Sequence, residues 1–327
     1  MDLDAFPRKD LGYFPTPLMA LDRLSERLGG IRLLVKRDDL TGLATGGNKT
    51  RKLEFLVGEA LSLGCDTLIT GGATQSNHCR QTAAAAAMRG LECHLVLGGS
   101  EPARAEGNLL LDRLLGAEIH WSGPLRKGER IPEIAEELRR KGRKPYVVPY
   151  GGSNAVGALG FVRAVREVAA QLAASGETVS HVVFASSSGG TQSGLVVGKA
   201  LFRQAFDLVG IGIDKGEAGE GPFEERVLEL ANETAARLDL GRPIARTEVV
   251  VRKEFLGGGY GVVGELERRA IRLAAGMEGL LLDPVYTGRA FGALLALAEQ
   301  GEFRRGATVL FWHTGGTAAL FPYADSL

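Results

Sequence analysis

The 327-residue sequence predicts an α/β protein built on mostly parallel sheets, with helices covering both faces. Short continuous apolar runs alternate with helix-period patterns along most of the chain, and glycine-rich turns follow several of these runs. With 45% of residues hydrophobic, there is enough apolar material for two domains or one large α/β unit.

Each element has its own signal. Leu53, Leu56, Val57, Ala60 and Leu61 fall at helical spacing, so the segment from Thr50 to Leu63 reads as a helix ended by Gly64. "DTLIT" (66–70) is an expected strand, and a helix from Asn77 to Arg89 stops at Gly90. The strand "ECHLVL" (92–97) follows, then a helix at 106–115, strand "AEIHW" (117–121), a helix at 131–141 and strand "PYVVP" (145–149). "YGGSN" is the best crossing point between two domains. Beyond it lie a helix from Leu159 to Ala174 and strands "HVVFAS" (181–186), "LVGIGI" (208–213), "EVVV" (248–251), "GLLLD" (279–283) and "ATVLFW" (307–312).

Composition excludes several classes. Lys plus Arg balances Asp plus Glu at 39 each, which argues against a nucleic-acid or membrane-surface partner. Cys65, Cys79 and Cys93 form no CxxC pair and suit a reduced, cytoplasmic compartment. The start "MDLDAFPRKD" is acidic where a secretory signal would be basic and then apolar, and no apolar run reaches membrane-span length.

Ligands of such sheets sit beyond the carboxyl ends of the strands, so the strand-to-helix loops carry the chemistry. "SSSGGTQSG" (186–194) combines glycines, which admit close approach, with hydroxyls and a helix start. Residue type alone allows both a phosphate cradle and an ordinary capped turn. "GGATQSNH" (71–78) puts Ser76 and Asn77 at a helix N-terminus with the same two readings, and His78 by itself more often packs than catalyses. "HTGG" (313–316) repeats the theme.

"GLATGGNKTRKLEF" (42–55) is nearly a P-loop, but Asn48 separates the second glycine from Lys49, out of position for a nucleotide's phosphates. There is no G-x-G-x-x-G after the first strand, no G-x-S-x-G elbow, and no H-E-x-x-H or C-x2-C arrangement, so no metal is expected. What remains is a phosphate cradle plus a lysine on a glycine turn. Lysine's distinctive covalent chemistry is imine formation, and a phosphorylated aldehyde cofactor, pyridoxal 5'-phosphate, needs both parts.

Together "GGNKTRKLEF", "GGATQSNHCRQTAAAA", "YGGSNAVGALGF", "SSSGGTQSG", "YGV" and "DPVYTGRA" resemble the D-cysteine desulfhydrase/ACC (1-aminocyclopropane-1-carboxylate) deaminase family of tryptophan synthase β-like pyridoxal-phosphate enzymes. The likeness runs from Pro15 to Thr317. It implies a small α/β domain (46–157) inserted into a large one (1–45 and 158–327), with the cofactor in the cleft and a homodimer as the assembly. It also implies that Lys49 holds the cofactor covalently and moves the Cα proton. Lys52 contacts the phosphate, whose main cradle is Ser188, Gly189, Gly190 and Thr191. Asn77 bonds the ring hydroxyl. Ser76 takes the substrate carboxylate with the neighbouring N–H groups, Asn77 and His78 beside it. Tyr260 and Tyr286 flank the substrate, and Thr287 faces the pyridine nitrogen. ACC deaminases carry "VYEG" where this chain has "VYTG", and "SDHPLGGLGF" where it has "GGSNAVGALGF". Both departures favour β-elimination of an amino acid such as D-cysteine, with L-cysteate, β-chloro-D-alanine and ACC as the alternative substrates.

Overall fold

The computed structural model describes residues 3–216 and 221–327. Its strands form two sheets. The larger, in the order β1-β2-β10-β7-β8-β9, comprises β1 (Leu18–Ala20), β2 (Arg32–Arg37), β7 (His181–Ser186), β8 (Asp207–Gly212), β9 (Val251–Arg252) and β10 (Thr308–His313). Only β1 runs antiparallel to its neighbour. The smaller, wholly parallel sheet has the order β5-β4-β3-β6, from β3 (Thr67–Gly72), β4 (Glu92–Leu97), β5 (Glu118–Trp121) and β6 (Pro145–Val147).

The helices are α1 (Asp22–Leu28), α2 (Lys49–Ser62), α3 (Asn77–Arg89), α4 (Gly107–Leu114), α5 (Ile131–Arg140), α6 (Ala155–Ser175), α7 (Gly190–Leu201), α8 (Phe223–Arg237), α9 (Glu265–Glu278) and α10 (Thr287–Glu299). One extended core joins the inner faces of α2, α3, α6 and α7 to both sheets, and a second lies between α9, α10 and the far face of the large sheet. The central strands are buried on both sides, as a parallel sheet covered by helices requires: β3 is buried at all six positions.

Two expected strands differ. "GLLLD" (279–283) joins no ladder. Leu280 and Leu282 are buried under α10, and the segment's polar groups find other partners, including Asp283 N–H to Thr287 Oγ1 at 2.7 Å. A short apolar run reads alike whether it is a strand or a buried connection. In "EVVV" only Val251 enters a strand, because Glu248 closes a 3-10 turn by accepting from Ala245 N–H at 2.8 Å. Strands β1 and β2 go beyond the expected elements. In β2, Lys36 and Arg37 interrupt the apolar signal, yet Lys36 is fully buried.

Candidate active site

The loops after β3, β7 and β10 meet at the carboxyl ends of both sheets and enclose one cavity with the start of α2. Its lining includes Asn48, Lys49, Ser76, Asn77, His78, Tyr150, Gly151, Ser188, Gly189, Thr191, Tyr286, Thr314 and Gly315. Eight of the twelve site residues named from the sequence, Lys49, Ser76, Asn77, His78, Ser188, Gly189, Thr191 and Tyr286, thus converge from four separate segments.

The turn before α2 is held from both sides. Gly47 has φ 131°, and a Cβ there would lie 2.4 Å from the Gln81 amide, so glycine is required. Gln81 Oε1 in turn accepts from Thr50 N–H at 2.7 Å. Asn48 N–H donates to Thr314 O, and Asn48 Nδ2 donates to Thr191 Oγ1 at 3.1 Å, which ties the lysine turn to the hydroxyl-rich loop. Lys49 therefore enters the cavity from a braced first turn.

Lys49 Nζ and Lys52 Nζ both donate to the carbonyl of Gly151 at 3.1 Å. Among the described residues, no carboxylate pairs with either. Burial lowers the Lys49 pKa to about 8, and burial plus the Lys49 charge drives Lys52 well below its ordinary value. Two lysines held in this way form a site made for an incoming anion and for an amine able to act uncharged.

The opposite wall is the Ser186–Gly190 turn, where Gly189 has φ 90° and α7 opens without a side-chain cap from its N-cap residue. A Cβ on Gly190 would come within 3.0 Å of Lys52 Nζ and 2.7 Å of Ser153 Oγ. Ser153 Oγ donates to Ser188 Oγ at 2.8 Å and accepts from Gly190 N–H. Lys52 and Gly190 stand immediately behind the lining rather than in it.

Ser76 caps α3, its Oγ accepting from Cys79 N–H at 3.2 Å, and it lines the cavity. Asn77 is oriented by Arg80, which has only donors to offer: Arg80 Nη1 donates to Asn77 Oδ1 at 3.1 Å and to Asn108 Oδ1 at 2.7 Å. The Asn77 amino group is left to face the cavity. His78 is neutral, its pKa lowered by burial and by both lysines. The Thr70 hydroxyl donates to Val148 O, so His78 Nε2 donates to Thr70 Oγ1 at 2.9 Å and the buried Nδ1 is an acceptor with no partner among the described residues.

Tyr286 lies edge-on to Tyr260, with their hydroxyls 2.8 Å apart. Burial raises both pKa values, so both remain phenols. Thr287 is fully buried below the cavity lining. Its hydroxyl donates to Asp283 Oδ1 at 2.7 Å and accepts from Asp283 N–H. Gly151, Ser153, Thr314 and Asn48 were not among the expected site residues. The "YGGSN" and "HTGG" signals mark their neighbourhoods, but nothing local marks their contacts across the fold.

The donor set suits a phosphorylated aldehyde: a glycine-opened helix start for the phosphate, a second lysine beside it, and a lysine amine held on a carbonyl with no carboxylate partner among the described residues. The chain belongs to the pyridoxal-phosphate dependent enzyme family, whose model matches residues 9–315. Its cofactor is pyridoxal 5'-phosphate. Within that family it is 43% identical to a D-cysteine desulfhydrase of Klebsiella pneumoniae, spanning 100% of this chain and 99% of that protein. It is equally 43% identical to a putative 1-aminocyclopropane-1-carboxylate deaminase of Pyrococcus abyssi, over 99% of this chain and 96% of that protein. A crystal structure described as an ACC deaminase homologue superposes with a TM-score of 0.89 at 42% identity, covering 99% of this chain and 96% of the other.

Proposed function

We propose that this enzyme is a carbon–sulfur lyase that carries out β-elimination of D-cysteine to pyruvate, hydrogen sulfide and ammonia. The observation that carries the reading is the pair Lys49 and Lys52 on one carbonyl, facing a glycine- and hydroxyl-lined helix start, with Tyr286 in the cavity lining and Tyr260 hydrogen-bonded to it. In this proposal Lys49 is the covalent anchor, Lys52 with Ser188, Gly189, Gly190 and Thr191 holds the phosphate, and Asn77 donates to the ring oxygen. When bound, the cofactor supplies an electron sink conjugated to the substrate's Cα.

The chain's own groups do the rest. Ser76 Oγ–H and the first N–H groups of α3 hold the substrate carboxylate, where the helix dipole favours an anion. Lys49, with its pKa lowered to about 8 by burial, takes the Cα proton as an uncharged amine. Asn77 and the His78 acceptor keep the amino acid in place. Tyr286 and Tyr260 stay protonated beside the β-carbon, where a phenol can meet a departing thiolate. Thr287, in place of the glutamate of "VYEG" sequences, brings no carboxylate of its own to the ring, which favours loss of a good leaving group over opening of a cyclopropane.

The proposal extends to the whole molecule: a small domain (46–157) around the four-stranded sheet, a large one (1–45 and 158–327) around the six-stranded sheet, and a cytoplasmic homodimer. Three free thiols agree with a reduced compartment. Lys49→Ala should lose turnover by at least about a thousandfold, together with the visible absorbance of bound cofactor. A variant that kept both would remove Lys49 from its role.

A further inference from the structure

At the edge of the small sheet, away from the cavity, two imidazoles and a carboxylate face one another. His94 on β4 is in register with Glu118 on the edge strand β5, and His120 follows two residues later on the same face. That face also carries Val96, which packs on Ile131 and Ile134 of α5. One nitrogen from each histidine and one glutamate oxygen all lie within 4.8 Å of one another.

The separations match those of metal ligands. His94 Nδ1 and His120 Nε2 are 3.0 Å apart, Glu118 Oε1 is 3.5 Å from His120 Nε2, and Glu118 Oε2 is 3.7 Å from His94 Nδ1. Ligand atoms about 2.1 Å from a tetrahedral ion stand about 3.4 Å from each other. The exposure is graded as well. The His94 side chain is 7% exposed, His120 22% and Glu118 65%, so the group opens to solvent on one side, where an ion and a water ligand can enter. The rings stack with centroids 5.3 Å apart and planes 25° from parallel, bringing both nitrogens to the same point.

We propose that His94, Glu118 and His120 bind a divalent transition ion of the zinc class, with water as the fourth ligand. Two imidazoles and one carboxylate suit zinc or cobalt rather than magnesium or calcium, which prefer all-oxygen sites. The proton now shared between the two facing nitrogens moves to the far nitrogen of its own ring, so both imidazoles coordinate without net proton loss. The ion pins edge strand β5 to its neighbour β4. The sequence carries no linear motif for this site, because its ligands come from two parallel strands joined through α4.

The test uses untagged holoenzyme, stripped with a chelator and titrated with Co²⁺ and, separately, Zn²⁺. One Co²⁺ per chain should bind and give ligand-field bands outside the cofactor's absorption. Zn²⁺ at a hundredfold excess over Kd should raise Tm by about 3–5 °C. Glu118→Ala and His120→Ala, whose side chains are partly exposed and whose folding is checked by circular dichroism, should each weaken binding at least tenfold and abolish the Tm shift. Absence of Co²⁺ binding, or binding unchanged in both variants, overturns the assignment.

Discussion

Lys49 shows how the site is made at the scale of one residue. Its helix start places the amine on Gly151 O beside a second lysine and, among the described residues, without a counter-charge, so the fold itself pays a penalty for protonating it. The sign follows from linkage. A lysine whose folded pKa is lowered binds fewer protons in the folded state than in the unfolded one between about pH 8 and 10.5, so apoenzyme stability rises with pH across that window. Below pH 8 the penalty is complete. Lys49→Met should therefore stabilise the apoenzyme by about 2–3 kcal/mol at pH 7, an advantage that fades as the pH approaches 10.5. Denaturant melts of the two apoproteins at pH 7 and 10 check this, and a Met variant no more stable at pH 7 would refute it. The glycine turn and lysine were legible in the sequence because both are local. Arg51 was not: it stands between the two lysines in sequence but turns away, donating to Asp38 and Glu167 in the interior.

At the scale of elements, several glycines of "YGGSNAVGALGF" do something that composition does not reveal. Gly160 lies where α6 crosses α2, and a Cβ there would stand 2.2 Å from Arg51 O. Gly157 meets Gly152 O at 2.2 Å, and Gly194 of α7 meets Ala158 O of α6 at 2.4 Å. These small residues let α6 lie flush against the helix that presents both lysines. Gly160→Ala should then destabilise the protein by about 1–3 kcal/mol and weaken cofactor binding, read from Tm and from titration of the visible absorbance. Gly276, exposed on α9 with nothing within 4 Å of a Cβ, is the control, where the same change should stabilise by about 0.5–1 kcal/mol. Equal effects at the two positions would contradict the close crossing. Helix periods and strand runs made the alternation legible. Long-range burial decided the rest, as "GLLLD" shows by remaining a buried connection while β2 formed around a buried lysine.

Across the whole molecule, a charged cluster fastens the lysine helix to the large sheet. Arg51 of α2 pairs with Asp38 at 2.8 Å and with Glu167 of α6 at 2.9 Å, and Lys36 of β2 pairs with Glu167. Trp312 of β10 donates to Asp38 at 2.8 Å. Burial raises the Glu167 pKa, but Arg51 and Lys36 outweigh it and hold the carboxyl down to about 2. A carboxylate with a lowered folded pKa stabilises fully above its unfolded value near 4.5 and loses that contribution as pH falls toward 2. Glu167→Gln should cost about 3 kcal/mol at pH 7, a gap to wild type that closes between pH 4.5 and 2 in urea melts; a gap independent of pH would exclude the charge as its cause. Nothing local announces this cluster, since its members come from β2, the turn after it, α2 and α6.

The cavity, the two lysines and the phenol pair support the proposed β-elimination, whose products can be told apart from those of ACC deamination. The decisive measurement is release of 2-oxo acid, sulfide and ammonia by purified holoenzyme supplied separately with D-cysteine, L-cysteine, L-cysteate and ACC. The expected result is pyruvate with equimolar sulfide and the highest kcat/KM on D-cysteine. Formation of 2-oxobutyrate from ACC with no sulfide from D-cysteine would contradict it.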